Sequence, residues 1–181
     1  MKFKDDKDMI LLVVPISHTH YVMPPIGLGY LAAALRRGGF DEVVILDCVK
    51  EGLSFNGFRG FLERIKPRIV GFQIFSYDFD SVVKSIEIVK QLNHETKVLI
   101  GGAHVSATSA LALEEIKQAD YGFVGEGEIG LPMLAGRLLR DEQIPLENIP
   151  GLIWRENSSI REKAPELGLK IWIVWGFNPG T

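Results

Sequence analysis

Five short apolar runs, each followed by a segment with helical spacing, constrain this chain more than any other feature. Met9–Val14 (MILLVV), Glu42–Leu46 (EVVIL), Arg68–Ile74 (RIVGFQI), Lys97–Ile100 (KVLI) and Tyr121–Val124 (YGFV) read as strands buried on both faces of a parallel sheet. Helices are expected over Pro25–Arg37, Phe55–Ile65, Asp78–Asn93, Ala107–Gln118 and Ile129–Arg140. The first opens on proline and closes on Arg36-Arg37-Gly38-Gly39, with cations in the last turn and glycine past it. The third aligns Val82, Ile86, Val89 and Leu92 on one stripe, behind Asp78 and Asp80 at its N-terminus. Gly57 and Gly60 weaken the second, and Pro132 lies in the tolerated first turn of the last.

Strictly alternating strands and helices predict an α/β fold, a doubly wound and mainly parallel five-stranded sheet of the flavodoxin or Rossmann kind. Such sheets bind ligands at the carboxyl ends of their strands. Residues 1–145 form this α/β domain. Residues 146–165 follow as a linker and short β-hairpin, in which Ile149–Arg155 pairs with Ile160–Glu162 across a turn at Asn157-Ser158. Residues 166–181 form an apolar, atypical tail.

A net charge of -3, from 20 basic and 23 acidic residues, gives no bias toward nucleic acid or membrane. The single cysteine, Cys48, forms no internal disulfide, holds no cluster and has no histidine partner, so it is expected to be inert. The polar N-terminus and the short apolar run after it fit neither a signal peptide nor a membrane span, which predicts a cytoplasmic location.

The strand-end loops carry the candidate chemistry. They are PISHTHYVMPP after strand one, FSYDFD after strand three, GGAHVSA after strand four and GEGE after strand five. Glycine lets backbone approach a large ligand and leaves N–H groups free to bind it. Gly27-Leu28-Gly29-Tyr30-Leu31-Ala32 matches the G-x-G-x-x-A dinucleotide fingerprint, and Asp47 ends strand two. That mechanism needs the glycines in the turn after strand one. Here Pro24 and Pro25 intervene, and helix–sheet packing is the simpler reading. His18 and His20 lack the acid or thiol that completes a zinc site. His104 stands at a helix entry, His94 at a helix end, and Glu126 and Glu128 flank Gly127, where a glutamate can cap the following helix. No nucleophile elbow, catalytic triad or P-loop occurs.

Taken in order, PPIGLGYLAAALRRGGF, a strand ending in Asp47, IVGFQIFSYDF, VLIGGAHVSA, DYGFVGEGE and IPGLIWREN resemble the N-terminal cobalamin-binding domain of cobalamin-dependent radical SAM proteins. That group includes methyltransferases and enzymes similar to the anaerobic magnesium-protoporphyrin IX monomethyl ester cyclase. The resemblance covers roughly residues 9–162, with PPIGLGYLAAALR, GGAHVSA and GEGE its most specific parts. It implies a cobalamin at the carboxyl edge of the sheet, with its nucleotide tail descending beside the strands. The implied contacts are Ser17, His18, His20, Pro24 and Pro25 after strand one, and Ser76 and Tyr77 after strand three. Gly101, Gly102 and His104 follow strand four, and Gly125, Glu126 and Gly127 follow strand five.

Two departures qualify the resemblance. The D-x-H-x-x-G motif that supplies the cobalt-ligating histidine in methionine synthase and the mutases is absent, which leaves the lower cobalt ligand open. The C-x-x-x-C-x-x-C motif is absent too, so a [4Fe–4S] cluster and S-adenosylmethionine would belong to a radical SAM core outside this chain. The resemblance therefore implies a cofactor-binding module that is not competent for radical chemistry alone. A cofactor-free docking or regulatory domain is the alternative of another class, and a nicotinamide- or flavin-binding domain is the third.

Overall fold

The structure, a computed structural model, describes residues 8–17, 24–157 and 159–165. Seven strands form one sheet in the order β2-β1-β3-β4-β5-β6-β7. The first five, β1 (Ile10–Val14), β2 (Val43–Asp47), β3 (Ile69–Gln73), β4 (Lys97–Gly101) and β5 (Tyr121–Phe123), run parallel in the flavodoxin-like order. The hairpin β6 (Leu152–Glu156) and β7 (Ser159–Glu162) adds antiparallel to β5 through Tyr121↔Trp154 and Phe123↔Leu152. The expected parallel sheet of five strands is thus extended to seven, because Ile149, Leu152, Ile153 and Trp154 are all buried and join the same core.

Alternation along each strand divides that core in two. Leu11, Val13, Val70, Phe72, Val98 and Ile100 face one side. There α2 (Phe55–Ile65) and α3 (Phe79–Leu92) cover them, with the short α4 (Ala103–Thr108) and α5 (Ala110–Glu115). Ile10, Leu12, Ile69 and Leu99 face the other side, under α1 (Ile26–Arg37) and α6 (Gly130–Arg140). In β1, β3 and β4 the apolar side chains of both faces find apolar partners, which is why these runs carry so little polar alternation.

Local chemistry sets the ends of these elements. The Ser54 hydroxyl caps α2 by accepting from the Gly57 N–H at 3.2 Å, and Lys66 closes it in the left-handed region. At the amino ends of the strands, the Asp120 carboxylate accepts from Lys90 Nζ and from the Val98 N–H, both at 2.7 Å, and the Thr96 hydroxyl donates to the Pro67 carbonyl at 3.0 Å. The helix expected over Ala107–Gln118 is instead two helices that begin earlier and break at Ser109, whose φ is 51°. The Ser109 hydroxyl is drawn to Glu162 of β7, a long-range pairing that outweighs local helix propensity. No described helix is long and apolar enough to cross a membrane.

Gly27 and Gly29 lie inside α1, and a Cβ added at either would meet nothing within 4 Å. They therefore do not serve helix–sheet packing. A helical glycine with no packing role lowers stability by about 0.5–1 kcal/mol relative to alanine. Gly29→Ala is expected to raise the unfolding free energy by about that amount, read as a higher urea midpoint at unchanged slope. An unchanged or lower midpoint would show that Gly29 has a packing role.

Candidate functional site

A cleft of about 190 Å³ opens at the carboxyl end of the sheet, between the strands and α1. It lies on the α1/α6 face and spans β1, β3, β4 and β5 through Leu12, Gly71–Gln73, Leu99–Gly102 and Phe123. Its location includes the β1/β3 switch point, where the crossover from β1 runs to β2 on one side and that from β3 runs to β4 on the other.

The cleft exists because side chains are missing along it. Gly71 occupies the position of β3 that faces α1, in the same alternation as Ile69, and a Cβ there would stand 3.1 Å from Leu12 Cδ2, so glycine makes room for the Leu12 side chain at the cleft floor. Gly101 leaves space open at the end of β4, and the nearest atom to an added Cβ there lies 3.9 Å away. Gly27 withholds a side chain from the helix wall. Gly102 has a different role. Its φ is 101°, and a Cβ would meet the Ile74 backbone at 2.9 and 3.0 Å. The expectation of open space therefore holds for Gly101, whereas Gly102 supports the tight passage from β4 into α4.

The residues expected from the sequence separate into two groups. Gly101, Gly102, Gly125, Glu126 and Gly127 line the cleft. Ser17, Ser76 and His104 gather at the same edge of the sheet but toward α3 and α4. The Ser76 hydroxyl pairs with His104 Nδ1 at 3.1 Å, and the His104 ring rests 5.3 Å from that of Phe79. Its Nε2 is buried without a partner. Tyr77 is 72% exposed and stacks on Phe75. Pro24 and Pro25 precede α1, Pro25 as the residue before its first turn rather than within it. His18 and His20 lie outside the described residues.

Glu126 and Glu128 do not cap α6, which receives no side-chain hydrogen bond at its N-terminus. Glu126 is exposed, and Glu128 turns into the cleft with Oε2 buried and unpartnered. Gly27, Gly71 and Gln73 are cleft residues that sequence reasoning missed, whereas Glu128 was singled out there with Glu126. The glycine that interrupts IVGFQ was the available signal.

The remaining sequence candidates have structural roles. The Asp47 carboxylate accepts from the Val49 and Lys50 N–H groups at 3.1 and 2.9 Å, which occupies it in a turn. With the fingerprint glycines in α1 and Asp47 so engaged, the dinucleotide arrangement is not formed. Burial, reinforced by the Asp47 charge, pushes the Cys48 thiol to about 12, so it stays protonated and unreactive. His94 is exposed beside Glu95.

Asp78 was expected at a helix N-terminus, beside Asp80. It is 5% exposed, makes no cap, and accepts from Ser17 while its Oδ1 has no partner. Burial raises its pKa above the ordinary 3.8, and the Ser17 hydrogen bond offsets this only in part. Above the ordinary value the folded state then holds a proton that the unfolded chain has released. Stability falls as pH rises from 3.8 through the raised value and levels off beyond it. Asp78→Asn is expected to lack this decline, so its melting temperature should gain on that of the parent across that window. Parallel curves would contradict the assignment.

The comparisons with known proteins agree with this geometry. Residues 12–135 match the model of the B12 binding domain family. An uncharacterized methyltransferase of Pyrococcus horikoshii is 33% identical over 145 residues, covering 78% of this chain and 30% of that protein. The anaerobic magnesium-protoporphyrin IX monomethyl ester cyclase of Rubrivivax gelatinosus is 30% identical over 105 residues, covering 58% of this chain and 19% of the cyclase. In fold, the chain superposes on the radical S-adenosylmethionine methyltransferase TsrM of Kitasatospora setae, solved with cobalamin and a [4Fe-4S] cluster bound. The TM-score is 0.77 at 23% identity, over 89% of this chain and 29% of TsrM. The chain thus spans at most 30% of the length of each of these relatives. The match over most of the α/β unit, which includes β1, β3, β4, β5 and the cleft between them, shows that the chain belongs to the B12-binding domain family.

Proposed function

We propose that this chain binds cobalamin at the carboxyl edge of its sheet, as the cofactor module of a radical SAM methyltransferase or cyclase. One observation carries the reading: a cleft left open at Gly27 and Gly101 on one face of the sheet, at the switch point of a B12-binding domain. Its 190 Å³ is below the roughly 300–1,000 Å³ of pockets that enclose a whole drug-sized ligand. The corrin does not fit inside it. A flat apolar fragment does, because Leu12, Leu28, Leu31, Leu99 and Phe123 wall the slot. The nucleotide tail, with its bicyclic base, is the part of cobalamin that matches. The macrocycle would then rest over the strand ends, where Gly101, Gly102 and Gly125 present bare backbone beside the Glu126 carboxylate.

On the α3/α4 side of that edge, the Ser17–Asp78 and Ser76–His104 pairs hold the neighbouring loops in place. The exposed Tyr77 ring offers a flat apolar surface beside them. When bound, cobalamin supplies a cobalt centre that can carry a methyl group or assist a radical step. The residues of this chain bind and orient it. The [4Fe–4S] cluster and S-adenosylmethionine belong to a separate radical SAM domain, since the buried Cys48 cannot ligate a cluster. That domain would meet the exposed Ile26 and Tyr30 on α1, 67% and 62% accessible beside the cleft-lining Gly27.

The test is a visible absorbance spectrum after incubation with hydroxocobalamin and desalting. The parent chain is expected to retain the corrin bands. Gly101→Leu fills the cleft from β4 and should lower retained corrin by at least about tenfold while leaving cooperative unfolding intact. A folded parent that retains no corrin would remove the reading and favour a cofactor-free docking domain. Full retention by Gly101→Leu would move the tail elsewhere.

A further inference from the structure

The polar lining of the cleft is sparse and specific. Gln73, Glu126 and Glu128 are the only polar side chains among its described lining residues. Glu126 is exposed, but Glu128 Oε2 is buried with no hydrogen-bond partner. Its position before α6 would ordinarily turn the carboxylate toward the free N–H groups of the helix, yet no side chain caps that helix. It enters none of the ion pairs among the described residues. An acceptor held out of water in an apolar slot is costly unless a donor arrives, and none of the described residues provides one.

The donor can be identified by chemistry, on the basis of the cobalamin reading above. The corrin and its amides stay outside the slot. Of the tail, the base carries no N–H once ribosylated, and the phosphate is an anion that a carboxylate repels. The ribose hydroxyls remain. We propose that Glu128 accepts a hydrogen bond from a ribose hydroxyl of the cobalamin tail, and so makes the domain select complete cobalamin over corrinoids that lack the tail. Gly127 brings the glutamate to this place. It is buried against Leu31 of α1, where a Cβ would stand 3.2 Å from the leucine side chain, so the loop lies close to the helix wall.

The experiment measures the affinity of the chain for hydroxocobalamin and for dicyanocobinamide, which keeps the corrin amides but lacks phosphate, ribose and base. A hydrogen bond to a charged acceptor corresponds to roughly ten- to a hundredfold in affinity, so Glu128→Leu should lose that much on hydroxocobalamin. It should lose nothing on dicyanocobinamide. Glu128→Gln, which keeps an acceptor oxygen, should stay within about threefold of the parent. Melting temperature gives the second readout. Glu128→Leu removes an orphan acceptor and should not melt earlier than the parent. Unchanged hydroxocobalamin affinity in Glu128→Leu, an equal loss on both corrinoids, or an earlier melt would each overturn the role of Glu128 while leaving cobalamin binding in place. A folded parent that binds neither corrinoid would instead overturn the cobalamin reading, and this inference with it.

Discussion

Two-sided burial of the central strands is the constraint on which everything else in this structure depends. Leu11 and Leu12, adjacent in β1, face opposite cores, as do Val98 and Leu99 in β4. The sheet is stable only while helices cover both faces. On one face α2, α3, α4 and α5 supply that cover, and on the other α1 and α6 do. The cleft forms on the face with fewer helices. It arises by deletion of side chains at Gly27 and Gly101, with the backbone layers still in place. A site built this way is rigid, because widening or closing it would require moving packed layers.

The opposite face carries the polar fastening that keeps the strand ends in position. Ser17 bonds Asp78, Ser76 bonds His104, and the Ser81 hydroxyl donates to the Ile16 carbonyl. These links join the loop after β1 to the segment after β3, and that segment to the start of α4. The Ser106 hydroxyl accepts from the Gly125 N–H at 3.0 Å and so connects α4 to the loop after β5. Across the carboxyl edge, each strand-end loop is thus tied to a neighbour, and the platform above the cleft acts as one surface. The hairpin contributes as well, since Pro165 returns to pack against the position of a Cβ on Gly125, 3.3 Å away.

Much of this was legible in the sequence because apolar runs without alternation have few other uses. MILLVV and KVLI lie in strands, and FNGFRGFLERI is helical throughout, despite its glycines. The order of the glycine-bearing loops pointed to the family for the same reason: each loop sits where the sheet requires backbone to approach a ligand. What stayed hidden was set by long-range geometry. Whether Gly27 packs on the sheet or faces a cavity depends on the rotation of α1 about its axis, and no local pattern encodes that. The break at Ser109 depends on Glu162, more than fifty residues away along the chain. Asp78 and Glu128 both look like helix-capping acids in sequence, yet neither caps, because tertiary burial turns their carboxylates elsewhere.

Several departures from local rules gather at the carboxyl edge. Helical glycines in α1, a glycine inside β3, the orphan oxygens of Asp78 and Glu128 and the orphan nitrogen of His104 all lie in the carboxyl half of the sheet or above it. At the amino ends several groups are paired, as in Lys90–Asp120–Val98 and Thr96–Pro67, although Trp154 Nε1, opposite Tyr121 at the start of β5, is buried without a partner. The orphan groups at the carboxyl edge are ones that a ligand bound there can relieve. Filling the cleft would restore the apolar contacts that the glycines forgo and give Glu128 a donor. Ligand binding and folding stability are then coupled through the same few residues, in proportion to how far the ligand is in excess of its dissociation constant.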